Sequence, residues 1–227
     1  MLLLAFDTAT PAVTAALHDG LRVVASATAE GARKHGEQLA ALIESVLKAG
    51  GVTRTDLEAI AVGTGPGPYT GLRAGLVTAR VLASALDVPV QGVCTLDVMA
   101  RAAVPAAAGR EFIVAADARR KEAYWARYDP TARRISEPAV SAPAEIALAA
   151  VASAGGAAPC PVAGEGPALY AELAARAIPP RYPDAGQLAE IAAERLAGAA
   201  RLEPAEPLYL RRPDARVPGK PKRVTPW

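Results

Sequence analysis

Apolar residues fall into short runs and stripes along this chain, and their spacing predicts strands alternating with helices. LLLAFDT (2–8) is a continuous apolar run that ends on polar residues, as expected of a strand buried on both faces. Val13, Ala15 and Leu17 alternate up to Asp19-Gly20, a hairpin signal, and 21–29 gives the returning strand. From about 33 to 49 the period changes. Leu39, Leu42, Ile43, Val46 and Leu47 then share one helical stripe, which Gly50-Gly51 ends. LEAIAVG (57–63) reads as a strand, about 70–86 as a helix, Val88-Pro89-Val90 as the start of a short strand, and Leu96 to Val104 as a helix. The second half repeats this order more loosely. Strands are expected at 111–119, 122–128 and 133–140, helices at about 143–153, 167–176 and 185–199, and a short strand at 161–163. PLYLR (207–211) closes the folded part. A strand hairpin followed by alternating helices and strands, twice over, predicts two α/β lobes of related topology. The Ala/Pro/Gly stretch 103–109 gives the boundary: a first lobe 1–104, a smaller second lobe 105–212, and a tail 213–227.

Composition supports a core-forming domain: the 227 residues are 52% apolar and 21% charged. The opening apolar run meets Asp7 with no basic residue before it, so neither a signal peptide nor a membrane span is expected. Cys94 and Cys160 are far apart and form no CxxC, which suits a reduced, cytoplasmic setting. Charge is unevenly placed. Arg211, Arg212, Arg216, Lys220, Lys222 and Arg223 against Asp214 make the C-terminal stretch +5, so a chain of net +2 leaves −3 elsewhere. Four prolines deny that stretch a helix, and it reads as a disordered basic arm, either a solvated tail or a contact for nucleic acid or an acidic partner.

The glycine turn GTGPGPYTGLRAG (63–75) opens the 70–86 helix. It fails GxxxxGK[ST], because Leu72 follows Gly71, and it fails GxGxxG, because Pro68 or Thr70 stands where the third glycine is needed. A phosphate nest is built of backbone N–H donors, and Pro66 and Pro68 have none. Thr70 is placed to cap the helix. The turn therefore positions a helix rather than gripping phosphate. In that helix Gly71, Gly75, Ala79 and Ala83 recur every fourth residue, with Ala74 and Thr78 beside them. Interior glycines cost about 1 kcal/mol each against alanine, so something packs very close to that face: the 33–49 helix or another protein. Arg73 and Arg80 share a second face.

Catalytic constellations are sparse. His18 and His35 form no helical HxxxH, and no GxSxG occurs. Asp7 at the end of the first strand either faces a cleft, where strand-end acids bind magnesium or orient water, or builds a tight turn with Thr8. Asp117, Arg119 and Glu122 could face the same cleft, and an Arg119–Glu122 ion pair holding the second lobe is the simpler expectation.

FDTAT (6–10), the glycine turn, ADARRKEAYWARY (116–128) and EPLYLR (206–211), in this order and spacing, closely resemble the bacterial TsaB family, formerly YeaZ, from Met1 to about Arg212. The resemblance implies the two-lobed actin/Hsp70/sugar-kinase (ASKHA) fold, each lobe ribonuclease-H-like. It implies a non-catalytic partner of the related TsaD which, with the ATPase TsaE, makes threonylcarbamoyladenosine beside the anticodon of tRNAs reading codons that begin with A. TsaD-like proteins carry a metal-binding HxxxH, and here Thr95 and Met99 stand at its two histidine positions, a poor set for a divalent ion. The family's interface, used with TsaD and in a homodimer when alone, maps to Leu39, Leu42, Ile43 and Val46 on the first helix. On the second it maps to Gly71, Leu72, Ala74, Gly75, Thr78, Ala79 and Leu82. Asp7, Thr8, Thr70 and Arg119 are the candidate nucleotide or anion contacts. The resemblance implies no catalytically bound cofactor, with ATP or ADP at the complex interface, tRNA reached through the complex, and no membrane. Two other readings compete: an independent nucleotide hydrolase or peptidase, and a tRNA-binding module working through the basic tail.

Overall fold

The computed structural model describes residues 1–31, 35–152, 159–198 and 203–211, so the expected tail 213–227 lies outside the described residues. Two five-stranded sheets organise the chain. The first is built from β1 (Leu3–Asp7), β2 (Val13–His18), β3 (Val23–Ala29), β4 (Ala59–Gly63) and β5 (Val90–Val93), in the order β3-β2-β1-β4-β5. β1 pairs antiparallel with β2 and parallel with β4. The second contains β6 (Phe112–Asp117), β7 (Ala123–Tyr128), β8 (Ala139–Ser141), β9 (Val162–Ala163) and β10 (Ala177–Ile178), in the order β10-β9-β6-β7-β8. Counted within its own sheet, each has the order 3-2-1-4-5, with two antiparallel pairs and then two parallel ones. This repeated ribonuclease-H-like topology makes the fold two-lobed and ASKHA-like.

The period of two along β1 sets the layers. Leu4 and Phe6 point to one face, where Leu39 and Val46 of α1 (His35–Gly50) and Leu72, Leu76 and Ala79 of α2 (Tyr69–Leu86) cover them. Leu3 and Ala5 point to the other, against Leu188, Ala189 and Ala192 of α7 (Ala185–Ala197). That helix comes from the second half of the chain yet covers the first sheet. Its N-terminal Ala185 N–H donates to Thr14 Oγ1 on β2 at 3.2 Å. α3 (Thr95–Ala107) lies between the sheets: Val98 joins the layer of α7, while Leu96, Met99 and Ala103 pack on Phe112, Val114 and Tyr128 of the second sheet. The Ala/Pro/Gly stretch expected to separate the lobes is thus largely the end of α3, which runs through Pro105.

On the far face of the second sheet lie α4 (Pro143–Ala152) and the short α5 (Gly166–Leu169) and α6 (Ala171–Ala174). A single helix was expected over 167–176. It breaks at Tyr170, which is extended (φ −127°, ψ 120°) and whose hydroxyl reaches Glu122 O at 2.9 Å and Asp117 Oδ1 at 3.2 Å. Residues 207–211 form no strand; they belong to an extended segment, 203–211, that crosses from one lobe to the other.

Candidate partner-binding surface and the cleft behind it

The loop after β1 and the glycine turn are fastened to each other. Thr8 Oγ1 donates to Gly71 O (2.7 Å) and accepts from Gly75 N–H (3.0 Å), tying the loop to the first two turns of α2. Asp7 Oδ1 accepts from Ala9 N–H at 2.6 Å, and Oδ2 accepts from the Thr95 hydroxyl at 2.6 Å. Thr95 Oγ1 in turn accepts from Gly65 N–H in the glycine turn. A Cβ on Gly63 would sit 1.9 Å from Asp7 Oδ2, and one on Gly67 2.2 Å from Ala9 O, so both glycines are needed for close approach. Asp7, Thr8 and Thr95 are buried, and their polar atoms are committed to this clamp. Asp7 builds a local turn through Ala9 N–H, whereas the Thr8 hydroxyl is used across the chain on α2.

Thr70 does not cap α2. The helix begins at Tyr69 with Pro68 as its N-cap, no side chain bonds there, and Thr70 is exposed within the first turn. Pro68 supplies a preset φ of −58° and its carbonyl accepts from Leu72 N–H, so the entry is set by backbone alone. Arg119 lies away from this clamp, on the β6–β7 turn, where it pairs with Asp117 Oδ2 at 3.2 Å. The expected Arg119–Glu122 ion pair is not formed. Glu122 instead pairs with Arg211 of the crossing segment, a partner 89 positions along the chain.

α2 has three occupied or available faces. The row Gly71, Gly75, Ala79, Ala83 is buried inside the chain, Gly71 and Gly75 against Thr8 and Ala79 and Ala83 in the first core. Of the expected interface, Leu39, Val46, Gly71, Leu72, Gly75 and Ala79 are therefore core residues that offer no surface to another protein. The small side chains admit the chain's own β1 loop. The Arg73/Arg80 face is taken by segment 203–211: Arg73 Nε donates to the Tyr209 hydroxyl (3.2 Å) and Arg80 Nε to Ala205 O (2.9 Å).

The third face remains open. Ala74, Val77, Thr78, Val81, Leu82 and Ala85 recur at helical spacing, and Val77 and Val81 are 58% and 60% exposed. Leu82 and Thr78 line one wall of a groove of about 580 Å³; Ala40, Ile43, Glu44 and Leu47 of α1 line the other, with Thr53, Arg54 and Thr55 at its end. Half-buried Leu42 and Ile43 complete the α1 side. Leu42, Ile43, Ala74, Thr78 and Leu82 are the expected interface residues that reach this surface. Val77 and Val81, its most exposed members, were readable from the same 3–4 spacing.

Burial without a cationic partner pushes the Asp7 carboxyl up from 3.8 to about 6, against the lowering effect of the Thr95 hydroxyl and the Ala9 N–H. The native protein therefore binds this proton more tightly than the unfolded chain between pH 4 and 6. The group is least costly below pH 4, and stability falls as pH rises through 6, by about 3 kcal/mol from this site. Asp7→Asn removes that dependence. The gap in unfolding free energy between Asp7→Asn and the parent is expected to widen in favour of the variant from pH 4 to pH 7. Chemical denaturation across that range measures it, and a gap independent of pH would contradict the assignment.

Among the described residues no helix is long and apolar enough to cross a membrane. The two positions matched to metal-binding histidines are structural here: Thr95 holds Asp7, and the Met99 side chain lies against Gly164, where an added Cβ would be 3.2 Å from its methyl.

The family model described as TsaD, tRNA N6-adenosine threonylcarbamoyltransferase, matches residues 23–216. An uncharacterized protein of Mycobacterium tuberculosis is 40% identical over 216 residues, spanning 94% of this chain and 93% of the relative. The Escherichia coli tRNA threonylcarbamoyladenosine biosynthesis protein TsaB is 38% identical over 129 residues, 56% of this chain and 55% of that protein. A solved Pseudomonas aeruginosa protein described as similar to peptidase YEAZ superposes with a TM-score of 0.80 at 31% identity, over 92% of this chain and 99% of that one. Matched across just over half its length by TsaB itself and over 92% by the YEAZ-like structure, the chain belongs to the TsaB (YeaZ) family.

Proposed function

We propose that this protein is a non-catalytic subunit in threonylcarbamoyladenosine formation on tRNA, acting as a platform for a TsaD-like catalytic subunit. One observation carries the reading: α2 is apolar on two sides, one filling the core and one, Val77–Val81 with the α1 groove, left open to a partner. The names of the relatives set the pathway. A TsaE-like ATPase joins the pair, ATP or ADP sits at the complex interface, tRNA is reached through the complex, and the same groove pairs two copies when the catalytic subunit is missing. The setting is the cytoplasm.

An independent hydrolase or peptidase is the competing reading. Against it, the buried Asp7 carboxylate is consumed by Thr95 and Ala9. Cys94 is buried, and its thiol is pushed up to about 12, leaving it protonated and a weak nucleophile at neutral pH.

Val77→Asp with Val81→Asp is the test. Two carboxylates buried without partners in the complex weaken capture of the TsaD-like subunit roughly a hundredfold or more. Both positions are exposed on the single chain, so the variant keeps its fold while losing the pairing of copies through the same groove, and any fall in melting temperature is confined to that lost pairing. Calorimetric titration and a thermal scan read the two effects. Undiminished binding would remove the groove from the interface. Metal-dependent ATP hydrolysis by the isolated protein, abolished in Asp7→Asn, would overturn the platform reading altogether.

A further inference from the structure

We propose that a second surface, beside the groove, binds single-stranded RNA: an unpaired base stacks on Tyr69 and Tyr209 while Arg73 and the exposed Lys121 of the β6–β7 turn face the flanking phosphates. The inference rests on the tRNA-modification reading only for its choice of probe.

The aromatic part is preassembled. Tyr69 and Tyr209 are 51% and 43% exposed, yet their rings stack at 5.7 Å between centroids and 22° between planes. The Arg73 guanidinium lies 4.4 Å from the Tyr69 centroid and its Nε donates to the Tyr209 hydroxyl. Two exposed tyrosines and an arginine held in register form a flat, cation-edged platform of the kind on which unpaired bases stack. An acidic peptide would need the charge and not the stacked rings.

The basic part adjoins it through the backbone. Two residues after Tyr209, Arg211 Nη1 donates to Ala118 O at 2.9 Å, fixing the platform beside the turn Arg119-Arg120-Lys121. All three turn residues are exposed and left-handed, with φ of 63°, 56° and 61°. Each non-glycine residue in that region costs about 1 kcal/mol or more, a strain that glycine would avoid. In this turn Arg119 is paired with Asp117 at 3.2 Å, as Arg211 is with Glu122, so exposed Lys121 is the cation that the turn contributes to phosphate contact. Tyr69 and Arg73 flank the Val77–Val81 stripe on α2, so RNA held here would lie next to a subunit docked in the groove.

Fluorescence anisotropy on the full chain tests this with two labelled probes, a hairpin RNA with an unpaired loop and a blunt RNA duplex of equal length. The hairpin should bind more tightly, with an affinity that falls steeply as salt rises. Tyr69→Ala should lower hairpin affinity roughly tenfold and leave the duplex unchanged, and Tyr209→Phe, which keeps the stack but releases Arg73 Nε, should lose less than Tyr69→Ala does. Lys121→Ala should weaken both probes and flatten the salt dependence. Tyr69 is 51% exposed and contributes no buried core, so the Tyr69→Ala protein stays folded and its RNA affinity is informative. Three results would overturn the proposal: no hairpin binding at low salt, hairpin affinity indifferent to Tyr69→Ala, or displacement of RNA by a polyglutamate peptide at equal charge. Capture of the TsaD-like subunit by the same variants separates the two readings. Retained capture with no RNA binding sinks this surface alone, whereas lost capture by the parent protein sinks the platform function.

Discussion

Gly75→Leu is expected to unfold a large share of the protein at temperatures where the parent is intact. A Cβ at position 75 would stand 2.5 Å from Thr8 Oγ1, and leucine adds three more carbons beyond it. Thr8 is β-branched and buried, and its hydroxyl already serves both Gly71 O and Gly75 N–H. It cannot rotate away without abandoning both bonds. Overpacking costs about 1–3 kcal/mol and the broken buried hydrogen bonds a similar amount, so the loss is about 4 kcal/mol. That is a large part of the 5–15 kcal/mol typical of a folded domain, and a fall in melting temperature of about 10 °C follows for a chain of this size. Gly36, exposed in the first turn of α1 with open space around its Cβ position, is the control: Gly36→Ala should melt at or slightly above the parent. A Gly75→Leu protein that melts normally but loses the TsaD-like subunit would return the small-residue row to the interface.

Truncation gives the second large effect. Removing 203–227 should lower the melting temperature by about 10 °C, while removing 213–227 should leave it nearly unchanged. Segment 203–211 is built into both lobes. Glu203 O accepts from Gly92 N–H at 2.9 Å, and Glu203 N–H donates to Gln91 Oε1. Ala205 is buried in the first core and Leu208 packs against the second, with its N–H on Thr64 O of the glycine turn. Gly92 makes room for the crossing, since a Cβ there would lie 2.4 Å from Pro204 O. Deleting the segment uncovers apolar surface and orphans several backbone groups, on the order of 4 kcal/mol together. The residues beyond Arg212 are basic and proline-rich, with little apolar surface to bury. Equal melting of the two truncations would show that the crossing contributes nothing.

The pattern of the chain was sufficient for the order of elements in the first lobe and for the repeat; in the second lobe the expected 133–140 strand shrinks to β8 (Ala139–Ser141), the 167–176 helix splits, and β10 was not foreseen. Runs such as LLLAFDT and LEAIAVG have the length and polarity of buried strands, and the two halves share one succession of hairpin, helix and strand. Prolines at 66 and 68 argue against a phosphate nest from the sequence alone, because a missing N–H is a property of the residue. The family motifs carried the rest of that reading, and the extra apolar face of α2 was present in its spacing.

Tertiary structure alone decided which face of α2 turns inward. Two rows of small or apolar residues run along that helix, Gly71 to Ala83 and Ala74 to Leu82, and helical periodicity ranks neither. The choice comes from Thr8, 63 positions away, whose hydroxyl fits only against glycine. The same holds for Thr95 with Asp7, 88 positions apart, for Glu122 with Arg211 rather than Arg119, and for α7 on the first sheet. Periodicity, capping and turn chemistry act between residues a few positions apart and so define elements. Partners at long separation are set by how close two backbones can come, and that distance exists only once the sheets are assembled.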